Sequence, residues 1–128
     1  TASDLVGFLF SSEFSAGSDA GDNDWYMAYN GGTTTGATTS TDIDANDNAV
    51  AGEWQILRLE IAPNGTAFFY IDGVAVGGSA SAKSSGVSGA VSTSVDLAAV
   101  VGFESKTTTA LTLDIDYIKI MANRDWVV

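Results

Sequence analysis

A chain of 128 residues with 45% apolar side chains is long enough to bury one core, too short for two ordinary domains, and too hydrophobic for a disordered tail. Sixteen carboxylates face five basic residues, a net charge of −11 that repels phosphate backbones and anionic membrane surfaces. The absence of cysteine and histidine removes disulfides, thiol chemistry, the usual general base and the commonest transition-metal ligand.

Arg58, Lys83, Lys106, Lys119 and Arg124 are too scattered to form a basic patch, so neither nucleic acid nor a membrane is expected as a partner. No apolar run approaches the length of a membrane span. The chain opens at Thr1 rather than Met, as a processed product or a piece of a longer protein would. Residues 1–128 are expected to form a single domain.

Leu5 to Phe10 (LVGFLF) predicts a short buried strand in which Gly7 allows a bulge or close backbone packing. A polar stretch rich in Ser, Asp and Gly follows. Trp25 to Tyr29 (WYMAY) predicts a second strand, ended by Asn-Gly-Gly. Thr33 to Thr41 is a threonine-rich run of high β-propensity, expected at an edge. In Trp54 to Ile61, Leu57, Leu59 and Ile61 alternate with Arg58 and Glu60, the period of a half-buried strand. Pro63-Asn64-Gly65 then turns the chain into Thr66 to Asp72, which together predict a hairpin. Asp72-Gly73 makes a further tight turn into Val74 to Val76.

Residues 77–90 are a glycine-, serine- and alanine-rich loop of low complexity, and Val95 to Glu104 is expected to resume a strand. Ala110 to Met121 (ALTLDIDYIKIM) is the last predicted strand. Leu111, Leu113, Ile115 and Tyr117 point one way there, and Thr112, Asp114 and Asp116 the other. The phase of this alternation shifts at Tyr117-Ile118, which suggests a bulge or a change of sheet. Short strands separated by turns, without a useful helix-period segment, predict an all-β, antiparallel sandwich or jelly roll.

Candidate sites are few. In Asp42 to Glu53, Asp42, Asp44, Asn46 and Glu53 occupy the first, third, fifth and twelfth positions of a calcium loop, which gathers hard oxygens around one centre. Asp47 stands where that loop wants its glycine, Ala49 replaces a larger apolar residue, and the flanks are strand-like, so a solvated acidic loop competes with the calcium reading. Asp19, Asp22, Asn23 and Asp24 form a second acidic stretch without a fixed ligand spacing. Asp114 and Asp116 share a strand face as glycosidase carboxylates can, but Leu113 and Ile115 fill the neighbouring slots and Tyr117 follows. A polar outer face accounts for the pair, and no catalysis is expected. Among aromatics able to stack on sugars, Trp25, Tyr26 and Tyr29 are the candidate ligand-binding residues, although Trp25 and Trp54 also suit a core.

Glu53-Trp54 with alternating LRLEI, the hairpin into FFYIDG and the late LDIDYIKI resemble the concanavalin A-like, laminin-G-like sandwich superfamily. A narrower likeness lies in DLVGFLF, FFYIDG and DYIKIMANRD, which look like small structural proteins of tailed bacteriophages, particularly those coating capsids. That resemblance implies a non-enzymatic virion protein on the capsid surface, with capsid proteins or copies of itself as partners and no required cofactor. Trp126, Val127 and Val128 form a candidate docking tail. The alternative is an extracellular carbohydrate-binding module whose acidic loop is ordered by calcium.

Overall fold

The computed structural model describes residues 4–10, 24–34, 44–50, 52–77, 86–103 and 112–122, and the chain divides into two units, Thr1–Val95 and Asp96–Val128. The described residues are all-β with antiparallel pairing and contain no helix. Every strand among the described residues belongs to the first unit: β1 Leu5–Phe10, β2 Asp24–Asn30, β3 Asp44–Asn48, β4 Leu57–Ile61, β5 Ala67–Ile71 and β6 Val74–Ala75. They form two three-stranded sheets, ordered β1-β2-β3 and β4-β5-β6.

Register determines which side chains share a face. Val6 lies opposite Tyr29, Phe8 opposite Met27 and Phe10 opposite Trp25. In the second sheet Leu57 lies opposite Ile71, Leu59 opposite Phe69 and Ile61 opposite Ala67. Because side chains alternate along a strand, each set lines one face. These faces supply a shared core of Met27, Tyr29, Ala67, Phe69 and Ile71, with Val76 and Ala90 added from outside the two strands. Phe8 meets Phe69 edge-on, with centroids 5.3 Å apart and planes at 87°, an arrangement the ring quadrupoles favour.

Turn chemistry accounts for both hairpins of the second sheet. The Gly65 amide donates to the Ala62 carbonyl at 2.9 Å, with Pro63 first and Asn64 second among the central residues. Proline's preset φ suits the first position, and Gly65 at φ 79° takes the left-handed site of a three-residue loop. The β5–β6 turn needs two positive φ values in succession, supplied by Asp72 at 52° and Gly73 at 81°. Asp72 does more than turn the chain. Its Oδ1 accepts from the Ile56 amide at 2.8 Å, and its own amide donates to the Ile56 carbonyl at 2.9 Å. Asp72→Ala removes a charged acceptor and places a residue poorly suited to positive φ, so urea denaturation is expected to report a loss of about 2 kcal/mol. Asp72→Asn, which retains an acceptor and tolerates that backbone, should lose less than half of this.

Several strand boundaries differ from those the sequence predicts. Thr33 and Thr34 lie in a bend; residues 35–41 fall outside the described residues. The strand expected from Trp54 begins only at Leu57. Of the strands expected over 95–104 and 110–121, residues 95–103 and 112–121 take no strand conformation despite their strand-like composition, and 104, 110 and 111 lie outside the described residues. Alternation and β-propensity say only that a segment suits a pleated, half-buried surface; a strand also needs a neighbour to take its amides and carbonyls. Among the described residues no ladder involves either segment. The acidic stretch expected as a loop is instead a strand from Asp44 to Asn48, because β2 accepts it as a neighbour.

Residues 86–91, the described end of the low-complexity segment together with Val91, connect the two sheets. Val87 and Ala67 exchange amide–carbonyl bonds at 2.8 and 3.1 Å, while the Thr34 amide donates to the Gly89 carbonyl at 2.9 Å. Ala90 and Val91 are buried behind them.

Candidate binding surface

The structure divides the aromatic candidates by exposure. Tyr26 and Tyr29 are buried, with 3% and 8% of their surface accessible, so neither offers a ring face to a sugar. Trp25 is half-buried. Its ring sits edge-on to Phe8 at 6.2 Å and tilted against Phe10 at 5.4 Å, and its Nε1 donates to Gln55 Oε1 at 2.8 Å. Trp25 therefore ties the first sheet to the approach to β4. Trp54, expected to suit a core, is instead 68% exposed. It precedes β4, where no strand alternation directs it inward.

The outward face of the second sheet carries the best-defined polar group. Arg58 and Tyr70 are cross-strand partners, and the guanidinium carbon of Arg58 stands 4.0 Å from the Tyr70 ring centroid. Tyr70 donates its hydroxyl to Glu60 Oε2 at 3.3 Å, and Glu60 Oε1 lies 3.6 Å from Arg58 Nη1. This exposed ion pair and ring contact contribute little to stability, on the order of 1 kcal/mol together. They do hold an arginine and a tyrosine side by side in a defined orientation. Both residue types are enriched at the energetic centres of protein interfaces.

Large apolar side chains are exposed in each unit taken by itself: Ile56, Leu57, Ile61 and Val74 in the first, and Val100, Val101 and Phe103 in the second. Leu57 and Ile61 lie on the core-facing side of β4 yet remain exposed, since β4 is the edge of its sheet and the buried cluster centres on β5.

The acidic candidates are placed but not gathered. Asp42 lies outside the described residues, Asp44 and Asn46 lie on β3, and Glu53 is exposed beyond a turn in which its amide donates to the Val50 carbonyl at 3.1 Å. Along a strand the backbone positions of Asp44 and Asn46 stand about 6.6 Å apart, whereas a calcium loop curls around one centre. Among the described residues no three acidic side chains converge as a metal site would require. Asp19, Asp22 and Asn23 fall outside the described residues, as do Trp126, Val127 and Val128; Asp24 lies on β2. Asp114 and Asp116 are exposed in the second unit. The chain matches no family model, no curated protein and no solved structure.

Proposed function

We propose that this chain is a non-enzymatic structural domain of a tailed-bacteriophage virion, a concanavalin A-like sandwich that decorates or stabilises the capsid through surface contacts. The observation that carries the contact role is the large apolar side chain left in solvent on the first unit, at Trp54, Ile56, Leu57, Ile61 and Val74. Isolated soluble domains seldom leave extensive contiguous apolar surface, and extended patches mark places where another macromolecule sits. The capsid as that partner rests on the sequence likeness in DLVGFLF, FFYIDG and DYIKIMANRD.

Recovery of the polypeptide in purified particles, in fixed ratio to the major shell protein, is the deciding measurement. Its absence from particles would remove the virion role. In a particle-binding assay, Arg58→Ala should weaken attachment at least tenfold while changing fold stability by no more than about 1 kcal/mol. Unchanged attachment would show that the outer face of the second sheet is not the contact.

The exposed indole of Trp54 favours one second reading, a carbohydrate-binding module. Glycan binding lost in Trp54→Ala would support it, as would a calcium-dependent rise in melting temperature removed by Glu53→Ala. Calcium belongs to this second reading alone.

A further inference from the structure

Hydrogen-bond phase fixes which backbone groups of β4 point away from its sheet. The Asp72 amide donates to the Ile56 carbonyl at 2.9 Å, and the Ala62 amide to the Thr66 carbonyl at 2.8 Å. Even-numbered residues of this stretch therefore turn their amides and carbonyls toward β5. Leu57, Leu59 and Ile61 direct theirs to the opposite edge, where β4 ends the sheet among the described residues. Side chains alternate in the same rhythm, with Leu57, Leu59 and Ile61 on the core-facing side and Arg58 and Glu60 on the outer side.

We propose that β4 pairs with β4 of a second copy of this chain, antiparallel about a two-fold axis at Leu59, joining the two copies' three-stranded sheets edge to edge. Such an axis passes through the centre of an opposing pair, so it sets residues of equal number parity across from each other. Leu59 then meets Leu59, while Leu57 meets Ile61 and Arg58 meets Glu60, each of these two pairings occurring twice. The backbone phase agrees with this register. Leu57, Leu59 and Ile61, whose amides and carbonyls point outward, face one another alone and can exchange hydrogen bonds. Arg58 and Glu60 fall at the non-hydrogen-bonded positions, where opposing side chains stand closest.

Charge complementarity identifies both the occupant and the register. Arg58 is the only basic residue before Lys83 in a chain of net charge −11, and Glu60 lies two residues away. LRLEI is therefore complementary to itself when reversed. The neighbouring symmetric registers set Arg58 opposite Arg58 or Glu60 opposite Glu60, and like charges directly opposite are destabilising. Centred on Leu59, the pair of charges that lies 3.6 Å apart within one copy becomes a square of alternating sign on the outer side. On the other side Leu57 and Ile61, both exposed in the single chain, cover each other across the axis. A free strand edge is a ready template for pairing with another chain. This inference does not rest on the virion reading, and no particle is needed to test it.

The test uses the full chain. Sedimentation velocity over a concentration series should show a monomer–dimer equilibrium. Glu60→Arg sets arginines opposite each other twice and should raise the dimer dissociation constant about tenfold or more, although it lowers the net charge that keeps copies apart. Combining it with Arg58→Glu restores opposite charges in the same register and should bring the constant back to within about threefold of the parent. Leu57→Pro deletes an amide that only the paired edge uses, so it should also weaken the dimer about tenfold or more while the single chain stays folded. Because the chain has no cysteine, register can be read covalently. A mixture of Arg58→Cys and Glu60→Cys chains should form a disulfide between the two variants faster than either forms with itself. A strictly monomeric chain, failure of the double exchange to restore dimer, an unweakened Leu57→Pro dimer, or preferential linkage of each cysteine variant to itself would overturn the proposal. Near-UV circular dichroism unchanged from the parent establishes that each variant is folded.

Discussion

Phe69→Ala is expected to lower unfolding stability by about 3–5 kcal/mol, measured by urea denaturation monitored at the tryptophans. Phe69 is buried at the centre of β5, where its ring lies between the contributions of both sheets and meets Phe8 edge-on. Truncation removes the transfer free energy of a benzyl group, opens a cavity that the paired strands cannot fully close, and deletes an aromatic pair worth about 1 kcal/mol beyond its area. A domain of this size has roughly 5–15 kcal/mol in total, so the variant should be partly unfolded at 37 °C. Val74→Ala provides the contrast. Val74 is an exposed residue on short β6, and its truncation should stay within about 0.5 kcal/mol. Comparable losses for the two would mean that the core does not centre on β5.

Gly65→Ala is expected to cost about 3 kcal/mol. Two terms add. The backbone at φ 79° is one that a side chain disfavours by about 1–2 kcal/mol. A Cβ there would also run into the Val91 carbonyl oxygen, whose own amide donates to the Gly65 carbonyl at 3.3 Å. Backbone cannot swing aside as a flexible side chain can, so the 86–91 segment must shift, adding about 1–3 kcal/mol. Gly73→Ala isolates the first term. Its φ of 81° is nearly the same, but nothing lies near an added Cβ. The difference between the two variants measures how tightly the β4–β5 loop is seated on residue 91. Equal losses would show that this seating contributes no stability.

These contacts indicate which features could be anticipated from residue order. β1 and β5 follow from local pattern, as does the Pro63-Asn64-Gly65 hairpin, because a strand–turn–strand unit places its partners within a few residues of one another. The core roles of half-buried Val87 and buried Ala90 were hidden in a low-complexity stretch, with buried Val91 just after it, and small residues reveal nothing about a close approach until the approaching backbone is known. The acidic β3 was obscured for the opposite reason. Asp and Asn suit turns, and only pairing with β2 draws DANDN into a strand. Exposure was the hardest feature to anticipate: Tyr26 is covered while Trp54 is open, although the two have similar apolar character.

The sequence by itself determined an acidic, histidine- and cysteine-free chain of strands and turns, since composition and period-two alternation are local properties. Tertiary structure alone decided which alternating segments became strands. LRLEI and AFFYI found each other across a tight turn, whereas TLDIDYIKI, which alternates as far as Tyr117, has no ladder among the described residues. The physical reason is that a strand is completed by its neighbour: amides and carbonyls must be satisfied by another segment, and no single stretch carries that information.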